Sequence, residues 1–399
     1  MSRYFDPMIW KALPFHFWSL VFFTFGCIVG SFLNVCIYRM PRGESLISPP
    51  SHCPKCGYSI PWYLNVPLFT WLFLRGKCAN CKASITVRYF LVELLTGLAF
   101  AGCWLATGRQ SPLLALAYCL VLAGFIVATF IDFEHFIIPD EITIGGIIAG
   151  VLCSFAVPAL HHRTDPLYGL VVELVSRRQQ ELMSFLNGEN AASALIKSAL
   201  GIAIGGGAIY VILRIGKLLF GRQKVELEPN TRVTFTETAL VLPDQEILYE
   251  DLFYRKSDFI AIEAKAVELI DRCYKAVTVR LTPEQLFIGE EILNPEQTPH
   301  MEVVTDKLVL PREAMGFGDV KFMAAIGAFF GWQAALFSLL LSSVLGTLVT
   351  LVLILLRKQA WSSRLPYGPY IALAAAIWIF GGERLLDWWL WWVKGGFAQ

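Results

Sequence analysis

Apolar residues are bunched along this 399-residue chain, and most of the bunches are long. Phe15–Tyr38 is apolar almost throughout and outlasts the hydrophobic stretch of a secretory signal, so it reads as a retained transmembrane helix. Tyr89–Thr107 and Leu113–Ile131 follow, separated by a short turn containing Pro112. A fourth run covers about Glu141–Leu160 and a fifth about Ala192–Phe220. The sixth and seventh share Val320–Leu356, with a break near Gly331, and the eighth is about Tyr367–Phe380. Crossing a bilayer takes about 20 apolar residues in a helix. The pattern therefore predicts an all-α polytopic membrane protein with about eight transmembrane helices.

The period changes between the fifth and sixth runs. RVTFTETALVL and KAVTVRL alternate apolar and polar positions as half-buried strands do. Within this stretch PDQEILYEDL (Pro243–Leu252) is echoed by PEQLFIGEEI (Pro283–Ile292), which suggests two copies of a small β-rich unit. The chain then divides into a first helix (15–38), a cytosolic loop (39–88), helices two to five (89–220), a soluble insert (221–313) and a final part (314–399).

Composition agrees with a membrane class: 56% of residues are hydrophobic and 16% charged, against roughly 45–50% apolar in soluble domains. A net charge of +1 gives no reason to invoke nucleic acid as a partner. Charge distribution says more. The loop Arg39–Arg88 holds Arg39, Arg42, Lys55, Arg75, Lys77, Lys82 and Arg88 against one acid, Glu44. Arg214, Lys217, Arg222 and Lys224 close the fifth run, and Arg357, Lys358 and Arg364 precede the last. With eight spans all three regions share one side, which the positive-inside rule makes cytoplasmic, leaving both termini outside. The turn Asp132–Asp140 falls on that side too. The insert differs, with nine Lys and Arg against eighteen Asp and Glu over Val225–Glu313. That acidity reads either as a solvated face or as a docking surface.

Within the basic loop, Cys53 and Cys56 form one C-x2-C pair and Cys78 and Cys81 another, with 21 residues between the pairs. Two tight turns presenting two thiolates each complete a tetrahedral zinc site, the arrangement of a zinc ribbon. A redox dithiol is the rival reading. The remaining cysteines are single, and most lie in apolar runs, where they read as packing residues.

The acids at the membrane edge carry the other chemical signal. Asp140 suits a helix N-terminus, but Asp132 ends the third run, where the helix dipole disfavours a negative charge. Asp319 opens the sixth run on the same predicted side; by itself it could serve only as a helix cap. Two carboxylates held close in a low-dielectric setting share a proton, so one acts as acid and the other as base on a peptide carbonyl and its attacking water. Gly316 and Gly318 leave room for an extended substrate backbone and permit a left-handed φ. Lys321 either tunes this pair or snorkels. Glu93 lies about one turn inside the second run, and Trp388, Trp389, Trp391 and Trp392 form an interfacial belt. A transporter or scaffold that relays protons through the acids and binds a partner with the ribbon is the competing class, although no inverted repeat is evident.

The stretches GSFLNVCIYRMPRGES, SHCPKCG, NVPLFTWLFLRGKCANCKASITVRYFLVELLTG, IDFEHFIIPD, GFGDVKF, GWQAALFSLLLSSVLG and PYGPYIALAA together resemble the bacterial type IV prepilin peptidases, GxGD membrane aspartyl proteases. The resemblance covers nearly all the chain except His161–Asn190 and about Gly221–Glu313. It implies a bifunctional enzyme of the bacterial inner membrane. Such an enzyme removes the short basic leader of prepilins or pseudopilins at the cytoplasmic face. It then methylates the new N-terminal residue with S-adenosylmethionine. The resemblance puts the catalytic acids at Asp132 and Asp319, structural zinc at Cys53, Cys56, Cys78 and Cys81, and methyl transfer with the same loop, where Gly76 is the position to test. It also brings the lipid bilayer and pilus or secretion assembly machinery in as partners. The insert of roughly 90 residues before GFGD departs from the short loop of usual members and could gate the substrate or dock that machinery.

Overall fold

The structure, a computed structural model, describes residues 13–109, 111–161, 191–220, 222–243, 246–253, 258–269, 272–295, 298, 300–311, 316–356 and 365–393. Most of His161–Asn190, and Arg357, Lys358 and Arg364 of the orientation argument, lie outside them. The described residues form two compact units, Met1–Ile209 with Phe317–Gln399, and Tyr210–Gly316.

The first unit is helical. Its helices are α1 (Phe15–Arg39), α2 (Val87–Thr107), α3 (Pro112–His135), α4 (Asp140–Ala156), α5 (Ala191–Phe220, shared with the second unit), α6 (Phe317–Leu355), α7 (Gly368–Ile377) and α8 (Glu383–Val393). Among the described residues, five helices are long and apolar enough to cross a membrane: α1, α2, α3, α5 and α6. Eight apolar runs yield five such helices for physical reasons. The sixth and seventh runs are two helices that meet at a kink within one 39-residue stretch and so count once, α4 has only 17 residues, and Gly368–Gly382 is a shorter apolar helix. The predicted break is real, because Gly331 in α6 has φ 81° and ψ −179°. Beside it, Ser154 Oγ lies 2.8 Å from His161 Nε2 and 3.1 Å from the Ala328 carbonyl oxygen.

Helix α3 is apolar all round and buried along most of its length, which makes it the central element of this unit. Ser111 caps it by accepting from the Leu114 N–H at 3.3 Å, and Pro112 starts it without wasting a donor. It stops at Phe136, whose left-handed φ of 55° turns the chain toward α4. Small residues let other helices touch backbone to backbone. A Cβ at Gly201 of α5 would sit 2.0 Å from the Gly327 carbonyl oxygen of α6, so only glycine fits there.

The second unit is an eight-stranded antiparallel sheet of order β3-β2-β1-β8-β4-β5-β6-β7. The strands are β1 (Arg222–Phe235), β2 (Ala239–Val241), β3 (Glu246–Leu248), β4 (Ile260–Leu269), β5 (Cys273–Leu281), β6 (Leu286–Ile288), β7 (Glu291–Leu293) and β8 (Met301–Pro311). Strand β8 alternates buried and accessible positions and packs Met301, Val303, Leu308 and Leu310 into one core with Val233, Ile262 and Val279. The sequence echo has a structural counterpart. The β2–β3 hairpin closes on Val241↔Glu246 and the β5–β6 hairpin on Leu281↔Leu286, with two further pairs in register behind each. Lys217 on the last turns of α5 pairs with the buried Asp258 of this unit at 2.7 Å.

Candidate active site

Asp132 lies in the last turn of α3 and is 5% exposed. Its own helix dipole opposes a negative charge there, and a second helix supplies the compensation. The Gly368 N–H, at the first position of α7, donates to Asp132 Oδ2 at 2.8 Å. The carboxylate thus rests on the favourable, N-terminal end of α7. Gly368 has to be glycine for this approach, since a Cβ would fall 2.8 Å from Oδ2 and 3.0 Å from Ile138 Cδ1.

Asp319 is the third residue of α6 and is 8% exposed. Gly318, beside it, lies against Ile138, with a Cβ position 3.5 Å from Ile138 Cβ and its carbonyl oxygen. Gly318 is helical and does not use the left-handed φ that a glycine permits. What the missing side chain provides is a close approach to Ile138. Gly316 is exposed just ahead of the helix. Ile138 therefore touches both the glycine next to Asp319 and the glycine bonded to Asp132.

Aromatic pairs fix the relative height of the two acids. The Phe125 and Phe322 rings are 5.6 Å apart and those of Tyr118 and Phe330 5.9 Å, so α3 and α6 run antiparallel. Asp132 lies seven residues beyond Phe125 and Asp319 three before Phe322. At about 1.5 Å per residue, the two acids stand within about 6 Å of each other along the bundle, at the same end. Lys321 of α6 is engaged elsewhere: its Nζ pairs with Asp140 Oδ1 of α4 at 2.6 Å.

The cysteines converge as their spacing predicts. All four Sγ atoms lie within 4.8 Å of one another, and Cys53 and Cys81 are 3.9 Å apart. Tetrahedral zinc with sulfur at about 2.3 Å needs sulfurs about 3.8 Å apart, so the donor set fits the metal. The turns are alike. Cys53 N–H donates to the Tyr58 carbonyl and Cys78 N–H to that of Ala83, and each turn uses a left-handed residue, Gly57 at φ 68° and Lys82 at φ 59°. The backbone N–H groups of Cys81 and Asn80 pull the Cys78 thiol down to about 7, toward the thiolate a metal requires. Four converging thiols exceed what a redox pair needs.

Gly76 sits in a tight turn with φ 66°, under the Trp71 indole, where a Cβ would meet Cζ2 at 3.0 Å. The ring fills the space over this glycine, so Gly76 offers no open surface to a cofactor. Trp71 packs in turn on Phe90 of α2 with ring centroids 5.2 Å apart. Glu93 is buried and accepts from the Leu68 N–H at 2.7 Å, tying this loop to α2. Sequence reasoning missed Gly368, Ile138 and the Glu93–Leu68 tie. The Gly-Pro pair opening the last apolar run is the one local signal that marks Gly368.

Known proteins resemble this chain along much of its length. Residues 24–107 match the family described as Bacterial Peptidase A24 N-terminal domain, and residues 287–351 match the Type IV leader peptidase family. Neither match spans Asp132. A Prepilin leader peptidase/N-methyltransferase of Myxococcus xanthus is 37% identical over 219 residues, which is 54% of this chain and 61% of that protein. One of the same name from Aeromonas hydrophila is 27% identical over 405 residues, 95% of this chain and 96% of the relative. A Type 4 prepilin-like proteins leader peptide-processing enzyme of Escherichia coli is 37% identical over 169 residues, 38% of this chain and 62% of that enzyme. No solved structure matches. With one peptidase family model matched near each end and a relative aligned along nearly the whole length, the chain is similar to the type IV leader peptidases over most of its length.

Proposed function

We propose that this chain removes the leader of type IV prepilins or pseudopilins and then methylates the new N-terminus. Asp132 and Asp319 are the catalytic pair. One carboxylate takes a proton from the attacking water; the other, protonated, supports the scissile carbonyl and then passes its proton to the departing amine. What supports this reading is that the glycine beside buried Asp319 and the glycine bonded to buried Asp132 both approach Ile138, with Asp132 oriented by the Gly368 N–H. Gly316 and Gly318 leave the approach to Asp319 uncluttered for an extended substrate. The names of the full-length relatives support the prepilin substrate and the second activity.

In this reading all eight apolar runs are embedded in the bacterial inner membrane and the acids face the cytoplasm. Zinc, held by Cys53, Cys56, Cys78 and Cys81, serves structure rather than chemistry. S-adenosylmethionine supplies the methyl group when bound. Gly76 influences that step through its packing under Trp71. The insert, 221–313, is the surface for pilus or secretion assembly machinery. Coexpression with a prepilin from the same organism, followed by mass analysis of the processed N-terminus, tests the proposal. A leaderless product heavier by one methyl group supports both activities, and an uncut prepilin overturns the reading. Leader removal without the added mass would leave the peptidase alone.

A further inference from the structure

The loop between α1 and α2, polar and basic by composition, has an apolar stretch in its middle. In PWYLNVPLFTWLFL (residues 61–74), Trp62 is 84% exposed, Phe69 74% and Phe73 83%, and Tyr63 and Leu72 are exposed as well. So many uncovered aromatic rings side by side mark a contact surface. Two ties set its height against α2. The Leu68 N–H bonds to Glu93, and the Trp71 ring packs on Phe90. Glu93 lies five residues beyond Arg88, the last charged residue before it, which is about 7 Å along the helix. The stretch is thus held beside the opening turns of a membrane-spanning helix, where α2 itself turns Leu91 and Leu95 outward.

We propose that residues 61–74 form a wedge inserted in the lipid interface, and that its occupant is the bilayer itself. The depth agrees with the roughly 5–10 Å that apolar faces of interfacial segments enter. Trp and Tyr are the residues enriched at that level, each with an apolar ring and a polar edge. Charge agrees too. Between Ser45 and Val92 there is no Asp or Glu, while Lys55, Arg75, Lys77, Lys82 and Arg88 flank the apolar stretch, as an anionic headgroup layer favours. Glu93 is the positioning residue: its carboxylate secures Leu68, whose φ of 62° is left-handed. The two cysteine turns, on either side of the wedge in sequence, are thereby held at the headgroup layer.

The test places a photoreactive phenylalanine analogue at Phe73 or, as a control, at the exposed Lys55 in the first cysteine turn. The full chain goes into nanodiscs of phosphatidylcholine and phosphatidylglycerol, and adducts are read by mass analysis after irradiation. Lipid adducts several-fold more abundant at position 73 than at 55 support the wedge. Equal yields at the two positions overturn it, as do adducts at 73 that are confined to protein.

Discussion

Gly368 offers the sharpest test of how the site is built. Replacing it with alanine puts a carbon 2.8 Å from Asp132 Oδ2 and 3.0 Å from Ile138 Cδ1. An unstrained carbon–oxygen contact needs about 3.3 Å, so the carboxylate has to retreat by about half an ångström and loses much of its bond to the Gly368 N–H. A hydrogen bond to a charged group contributes about 1.5–3 kcal/mol. At about 1.4 kcal/mol per factor of ten, turnover should fall about 10- to 100-fold. The backbone at Gly368 is helical, and alanine is the better helix former by about 1 kcal/mol, so the fold should survive. The assay is leader cleavage by purified Gly368→Ala enzyme, with thermal stability measured alongside. Wild-type turnover would refute the reasoning. A loss of cleavage accompanied by loss of folding would do so as well, because the added carbon meets only the Asp132 carboxylate and the movable end of the Ile138 side chain.

Four further outcomes are expected. Cys78→Ser should lower bound zinc, measured by metal analysis of the purified protein, whereas Lys82→Gly, which copies Gly57 of the first turn, should keep the metal and be neutral or stabilising by up to about 1 kcal/mol, since glycine accepts the left-handed φ without strain. Glu93→Ala leaves the Leu68 amide without its acceptor and should cost about 1–3 kcal/mol, read as a lowered thermal midpoint in detergent. Gly327→Leu cannot be accommodated where Gly201 and Gly327 meet. It should destabilise by more than about 4 kcal/mol and appear as failed expression of folded protein.

Much of the architecture was legible because it rests on local pattern. Apolar runs fold as helices, alternating residues fold as strands, and the odd glycine in Val320–Leu356 breaks the helix where the sequence suggests. Cysteine spacing predicts the convergence of the four thiols for the same reason: each turn is closed by neighbours a few residues away. The faint PDQE–PEQL echo holds because both copies serve the same kind of hairpin. The contact at Gly368 was illegible because it joins residues 236 apart, and no local rule links them. The neighbour of Gly318 was illegible too, since a glycine that makes room for substrate and one that packs on Ile138 look identical in sequence. In loop 39–88 the basic charges were the more conspicuous signal, and the exposure of the apolar residues at 61–74 is visible only in the structure. Lys321, open to two readings, is committed to Asp140 by the packing of α6 on α4.

The central claim is that Asp132 and Asp319 work as one unit. Its most direct measurement is single-turnover cleavage of a purified prepilin by wild type, Asp132→Asn and Asp319→Asn, each checked for unchanged zinc content and thermal midpoint. The account predicts that either substitution alone abolishes leader removal while the protein stays folded and metal-loaded. Cleavage at the wild-type rate in either variant would contradict it.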